Sequence, residues 1–237
     1  DQTPIWVGGG LTLVGFGAKA GAFPLHIWLP TAHPVAPAPA SALLSGVITK
    51  TGIYGAAVLS TTLFLHNGTW GLLLAGVGTV TMVLGAVLAV CSVDLKRTLA
   101  CSSVSQLGFI FVGLAMQCLL GSHNALAVDG TTLHIVNHSL IKMALFPAAG
   151  VIHLSTHSFR LDDIRGFGRG KPLLAAVMGI PMFSLAGLPL LNGYVSKTLL
   201  HESIVEYIHL AGGLAWLFTA VEWLFLLTGG LTLAYML

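Results

Sequence analysis

Charged residues are scarce in this chain of 237 residues, where Asp, Glu, Lys and Arg together make up 8% of the sequence. Soluble domains carry about 25% charged residues, so the composition excludes an ordinary water-soluble fold. Hydrophobic residues reach 55%, in continuous runs longer than the alternating segments of about ten residues that build membrane barrels. Because helices and closed barrels are the structures that span lipid, the sequence predicts an all-α polytopic membrane protein.

Other absences narrow the function classes further. The Lys and Arg residues are too few and too dispersed to form a phosphate-binding face, which argues against nucleic acid as a partner. Cys91, Cys101 and Cys118 lack CxxC spacing, so we interpret them as buried apolar side chains and expect no metal site. We find no nucleophile–base pair and no motif for a flavin or an iron–sulfur cluster, and therefore expect no cofactor. The chain begins at Asp1 without methionine, as a piece of a longer protein would.

The apolar segments predict about seven transmembrane helices, at residues 5–23, 42–65, 69–92, 98–120, 131–156, 172–195 and 210–236. Pro and Gly interrupt the first and the sixth, which predicts two broken helices. Six of the seven basic residues outside these segments fall in the turns of one side, at Lys96, Arg97, Arg160, Arg165, Arg169 and Lys171, and the seventh, Lys197, lies at the end of the sixth segment. The positive-inside rule places those turns in the cytoplasm and the predicted turns at 66–68, 121–130 and 198–209 outside, so we expect a multi-pass protein of the cell membrane.

Four lysines lie within the apolar segments or directly at the end of one: Lys19, Lys50, Lys142 and Lys197. A lysine at mid-membrane costs roughly 2.5–3.5 kcal/mol on insertion scales, so four of them indicate a function. A path for protons or ions is the usual reason, since a buried ammonium can exchange its proton near neutral pH. For Lys197 the alternative is a side chain that reaches the membrane surface from a helix end.

A polar stripe runs through the fifth segment, where His134, His138 and Lys142 are spaced four residues apart and share one helix face. Histidine titrates near neutrality, so two imidazoles one turn apart can pass protons. One alternative is a hydrogen-bonding stripe that only holds helices together. Another is a haem-bearing electron carrier using these histidines or His153, against which Lys142 argues.

Three further residues are accessory candidates. His26 and His33 flank Pro30 and could relay protons at an entrance, or could be the polar end of a helix break. Glu222 is the carboxylate nearest the middle of a segment. It could pair with an intramembrane lysine, or mark a kink that reaches the interface.

Three stretches resemble the antiporter-like proton-translocating subunits of complex I, of membrane-bound hydrogenases of the hydrogenase-4 and formate hydrogenlyase type, and of multisubunit Na+/H+ antiporters. The first runs from Gly17 through Phe23-Pro24-Leu25-His26 to Gly55, and the second joins Asp94-Leu95-Lys96-Arg97 to Ser102-Ser103 and Gln106. The third joins the stripe to Ala186-Gly187-Leu188-Pro189 and Gly193–Lys197.

The resemblance implies a fragment of an inverted-repeat fold, with residues 1–66 as the last two helices of the first repeat and 67–237 as the second repeat. It implies that Lys19, Lys50, Lys142 and Lys197 form a proton path, and that a glutamate partner of Lys19 lies before Asp1. The implied function is proton pumping in an oxidoreductase complex, with partner subunits that carry flavin, iron–sulfur clusters or a hydrogenase centre. The alternative is a subunit of a Na+/H+ antiporter.

Overall fold

A computed structural model describes residues 3–236, and these form a bundle of α-helices without a β-strand. The helices are α1 (Thr3–Ala20), α2 (Trp28–Val35), α3 (Ala38–Leu43), α4 (Thr49–Leu63), α5 (Gly68–Val90), α6 (Leu95–Leu119), α7 (Ala125–Thr156), α8 (Leu161–Ile164), α9 (Pro172–Ala186), α10 (Asn192–Leu210) and α11 (Ala215–Met236). The predicted all-α membrane fold is therefore confirmed.

Five segments among residues 3–236 are long and apolar enough to cross a membrane: Ala38–Leu63, Gly68–Val90, Leu95–Leu119, Ala125–Thr156 and Gly212–Met236. Each matches a predicted span within a few residues. The first predicted span is α1, and the sixth divides between α9 and α10. The count of about seven spans stays a prediction.

Both predicted breaks are present. The first lies between α1 and α2, where Gly21 adopts a positive φ of 80°. The second lies between α9 and α10, where Gly187 ends α9 with a φ of 87°. Residues 198–209, which the sequence assigned to an external turn, are helical and belong to α10. That assignment was wrong because the polar residues of this stretch were taken for a loop, whereas His201 is paired with Glu222 of α11.

Helix α6 occupies the centre of the bundle, and the whole of its apolar stretch is buried inside the protein. Its closest neighbour is α5, because Gly85 and Gly108 let the two backbones approach where a Cβ atom would overlap the facing helix. Helix α7 packs on another side of α6 and also contacts α9 and α10. The polar stripe of α7 therefore lies in the interior of the protein rather than against lipid.

Candidate functional site: a buried stripe of lysine and histidine

Lys142 lies at the centre of the stripe on α7 and is completely buried. Its Nζ donates a hydrogen bond of 2.8 Å to the carbonyl oxygen of Leu99 and a second one to the hydroxyl of Ser102, both on α6. The Phe146 ring, one turn along α7, has its centroid 6.0 Å from the same ammonium. Polar contacts of Lys142 are thus made with neutral groups.

Lys50 connects α4 to the stripe. Its Nζ lies 2.8 Å from Nδ1 of His138, which is completely buried. The same ammonium donates to the carbonyl oxygen of Ser45 at 2.5 Å. That carbonyl lies in a π-helical turn, Leu44–Ile48, in which the N–H of Thr49 bonds instead to the carbonyl of Leu44. The irregular turn therefore frees the Ser45 carbonyl from a backbone bond to Thr49, and this carbonyl accepts from the lysine and from the Thr49 hydroxyl at 3.0 Å.

The remaining nitrogen of His138, Nε2, is buried without a hydrogen-bond partner within residues 3–236. Because Nδ1 faces an ammonium, it must accept, and a neutral His138 then carries its proton on Nε2. A buried N–H without an acceptor is costly, and a site of this kind is one where water is expected.

His134, one turn before His138, has both ring nitrogens in contact. Nε2 lies 3.1 Å from Oε1 of Gln106, and Nδ1 lies 3.0 Å from the hydroxyl of Ser196. The amide oxygen can only accept, so a neutral His134 carries its proton on Nε2, and Nδ1 can accept from the Ser196 hydroxyl, which also lies 3.2 Å from the carbonyl oxygen of Gly193 as a second acceptor. The imidazole thus links α6 to α10.

The second helix break is joined to α7 by a pair of asparagines. Nδ2 of Asn192 donates to Oδ1 of Asn137 at 2.9 Å, and Nδ2 of Asn137 donates to the backbone carbonyl of Asn192 at the same distance. The hydroxyl of Ser184 at the end of α9 donates to Oδ1 of Asn192. Both halves of the broken helix are therefore fixed against the stripe.

Lys197 lies one turn into α10 and is 8% exposed. Its Nζ donates to the carbonyl oxygen of Leu185 on the far side of the break at 2.7 Å, and it lies 5.0 Å from the centroid of the Phe109 ring. The side chain does not extend to a surface, so the snorkelling interpretation is wrong.

The other predicted residues make no hydrogen bond to this cluster. Lys19 is exposed at the end of α1 and has no hydrogen-bond or ion-pair partner in the described part of the chain. His26 is buried in the first break with Nδ1 unbonded. His33 is fully buried in α2, where its ring stacks on Phe146 at 4.5 Å and neither nitrogen has a partner. Through Phe146, His33 is near Lys142.

Glu222 pairs with none of the four lysines of the apolar segments. Its Oε1 lies 3.1 Å from Nε2 of His201 on α10. The two ion pairs found among residues 3–236 both involve His201. No lysine or arginine nitrogen in this range lies within 4.0 Å of a carboxylate oxygen. The buried lysines are therefore held by carbonyls, hydroxyls and imidazole.

Sequence reasoning assigned no role to the neutral partners that connect these groups. They are Ser45, Ser102, Ser103, Gln106, Asn137, Ser184, Asn192 and Ser196. A signal was available for α6, since Ser102 and Gln106 are four residues apart in an apolar helix and so share a face. The partners on α10 could not be identified, because the bend between α9 and α10 decides which residues face α7.

Comparison with known proteins identifies a family that this chain matches. Residues 2–232 match the family described as NADH:quinone oxidoreductase/Mrp antiporter, transmembrane. The chain is 37% identical over 93% of its length to hydrogenase-4 component B of Escherichia coli K12, covering 34% of that protein. It is 33% identical over 84% of its length to NAD(P)H-quinone oxidoreductase chain 4 1 of Synechococcus elongatus, covering 37% of that protein. The chain thus spans about a third of the length of these relatives.

Solved structures match the fold as well. A chain of the Mrp complex from Dietzia sp. DQ12-45-1b superposes with a TM-score of 0.89 at 27% identity, over 100% of this chain and 41% of that one. A chain of the membrane-bound sulfane sulfur reductase, an archaeal respiratory membrane complex, gives a TM-score of 0.84 at 26% identity, over 99% of this chain and 46% of that one.

Proposed function

Because the chain belongs to the transmembrane family of NADH:quinone oxidoreductase and Mrp antiporter subunits, we propose that it translocates protons within a redox-driven membrane complex. The observation that carries this proposal is the contact of 2.8 Å between Lys50 and His138 in the interior of the protein. An ammonium facing an imidazole, without a carboxylate within 4.0 Å, is a poor structural ion pair and a suitable arrangement for proton exchange.

The proposed path consists of five residues of the buried cluster: Lys50, His138, Lys142, His134 and Lys197. A proton on Lys50 can pass to Nδ1 of His138 along the existing contact. The serines and Gln106 keep the neighbouring groups oriented without supplying a fixed negative charge that would trap the proton. Lys19 and His33 are proposed to act near the first break, because Lys19 is exposed and the two buried nitrogens of His33 are unbonded groups that water could satisfy.

The partners of the chain follow the same reasoning and remain a proposal. Its matched relatives are named as parts of a hydrogenase, a formate hydrogenlyase and a quinone oxidoreductase. We therefore propose that neighbouring membrane subunits surround it, and that redox subunits with flavin, iron–sulfur clusters or a hydrogenase centre drive it. We also propose that residues 1–66 end one inverted repeat and residues 67–237 form the next, since each part contains one broken helix.

Lys142 provides the test, carried out in membrane vesicles that contain the assembled complex. Lys142→Ala should abolish most proton pumping through this subunit. Lys142→Arg should impair it too, because a guanidinium keeps its proton. Lys171→Ala, on the exposed turn before α9, is the control with the same loss of charge. Pumping at the wild-type level in both Lys142 variants would refute the proposal.

A second candidate is exchange of Na+ for protons, which the Mrp part of the family description and the structural match favour. Sodium sites require several oxygen ligands. The oxygen atoms that surround Lys142 belong to a carbonyl and a hydroxyl rather than to carboxylates. Uptake of labelled Na+ by vesicles under an imposed pH gradient distinguishes the two functions. Uptake that Lys142→Ala abolishes would favour the exchanger.

A further inference from the structure

His201 on α10 lies between two carboxylates. Its Nε2 is 3.1 Å from Oε1 of Glu222 on α11, and its Nδ1 is 3.7 Å from Oε1 of Glu202. The side chains of His201 and Glu222 are each 24% exposed, whereas that of Glu202 is 54% exposed. The imidazole therefore connects a partly buried carboxylate with an exposed one.

The position of this group in the bundle follows from contacts between α10 and α7. Asn192 is level with Asn137 and Ser196 with His134, so the two helices run antiparallel. Gly130, near the start of α7, packs against the backbone of the residue before His201. The basic turn at 157–171 follows the opposite end of α7. His201 and Glu222 thus lie towards the end of the bundle away from the basic turn.

The same group is close to the lysine at the second break. His201 follows Lys197 by one helical turn, which is about 6 Å along the axis. Two aromatic rings connect the sites: Phe109, 5.0 Å from the Lys197 ammonium, packs edge-on against Phe225 at 4.7 Å. Phe225 in turn lies 6.1 Å from the His201 ring. No hydrogen bond in the described structure joins Lys197 to His201, so a proton passing between them requires water.

We propose that His201, paired with Glu222, exchanges protons between Lys197 and the aqueous phase at this end of the bundle. The proposal rests on the proposed function, in which Lys197 is part of the path. A proton leaves the Lys197 ammonium through water and binds Nδ1 of His201, whose Nε2–H donates to Glu222, giving a neutral amine and an imidazolium. The Glu222 carboxylate balances that charge. The imidazolium then releases a proton to water beside Glu202, and no electron is transferred.

A structural role is the competing explanation, because a hydrogen bond between α10 and α11 also holds the helices together. Glu222→Gln separates the two explanations. Its amide oxygen still accepts from His201 with nearly the same shape, whereas the negative charge that stabilises an imidazolium is gone. A purely structural pair would tolerate this change, and a proton-exchanging pair would not.

The experiment measures protons pumped per electron pair in vesicles containing the assembled complex. Glu222→Gln and His201→Gln should each reduce pumping through this subunit by about a hundredfold, the low end of what a positioned acid–base group contributes. The controls are Glu206→Gln and His209→Gln on the same helix, whose side chains lack a hydrogen-bond or ion-pair partner within residues 3–236. Both controls should pump as the wild type does.

Lys142→Ala in the same preparation separates the two proposals. If Lys142→Ala pumps normally, the proposed function has failed and this inference with it. If Lys142→Ala is inactive while Glu222→Gln and His201→Gln match their controls, the inference alone is overturned. It is also overturned if these variants lower only the amount of assembled complex, with unchanged pumping by what remains, since that result identifies a structural pair.

Discussion

The two broken helices place their lysines in different surroundings. Lys197, after the second break, is buried and spans the gap by donating to Leu185 at 2.7 Å. Lys19, before the first break, is exposed, and nothing in the described part of the chain pairs with it. A lysine beside a break is therefore not enough to define a site, because among residues 3–236 only the second break supplies neutral partners for its ammonium.

The two breaks are also held by different means. At the second, Asn192 links α10 to both Ser184 of α9 and Asn137 of α7. At the first, the indole N–H of Trp28 donates to the carbonyl of Ala18 at 2.8 Å, so α2 is tied back to α1. The second break is thus part of the stripe, whereas the first is joined to α1 and, through the N–H of Phe23 donating to the Thr81 hydroxyl at 3.0 Å, to α5. Three substitutions test this difference.

The largest effect is expected from Gly193→Ala, measured as thermal unfolding of the solubilised protein. A Cβ at this position would overlap the carbonyl oxygen of Ser184, which is backbone and cannot rotate away. We expect the free energy of unfolding to fall by about 3 kcal/mol, which is the upper part of the range for overpacking. Gly17→Ala in α1 is the control, since its Cβ would meet only Ala22, at 3.8 Å. Equal unfolding temperatures for the two variants would remove the contrast between the breaks.

A smaller effect is expected from Asn192→Ala. The change leaves a buried oxygen of Asn137 and the hydroxyl of Ser184 without their partner, and a loss of about 2 kcal/mol follows from such unsatisfied groups. The double variant with Asn137→Ala completes a thermodynamic cycle. A coupling energy of about 0.5 kcal/mol or more is expected for residues in contact. Strict additivity would show that the asparagine pair does not join the break to α7.

The smallest effect is expected from Trp28→Phe at the first break. The aromatic ring keeps its packing while the hydrogen bond to Ala18 is lost, which costs about 1 kcal/mol. The measurement is the shift of the unfolding midpoint, compared with that of Asn192→Ala in the same detergent. A shift as large as that of Asn192→Ala would mean that both breaks are held equally firmly.

Much of the architecture was predictable because apolar length and loop residues are written in the sequence. The helices, both breaks and the shared face of His134, His138 and Lys142 follow from periodicity together with Pro and Gly positions. Residues 198–209 were misjudged because His201 and its acidic neighbours suggested a loop, and only the fold shows that α11 provides Glu222.

The pairing of the site was less predictable, since it depends on helix rotation rather than on spacing. Lys50 meets His138 directly after a π-helical turn at Leu44–Ile48, where the carbonyl of Ser45 also accepts from its ammonium. Such a turn has no clear signal in an apolar segment. His134 meets Ser196 only because α10 starts beside Asn137, and that register is set by the bend at the second break.

The central position of α6 has a consequence for synthesis of the protein. This helix has a mean hydropathy of 1.7, against 2.3 for α5, and it buries its polar side chains Ser102 and Gln106. A segment that finally contacts protein on every side gains little from lipid, so its stability in the bilayer depends on its neighbours. With the backbones of α5 and α6 in close contact along Gly85 and Gly108, we expect the two to enter the membrane as one hairpin. The polar side chains of α6 that contact the stripe in the folded protein would then face lipid only until α7 inserts into the membrane.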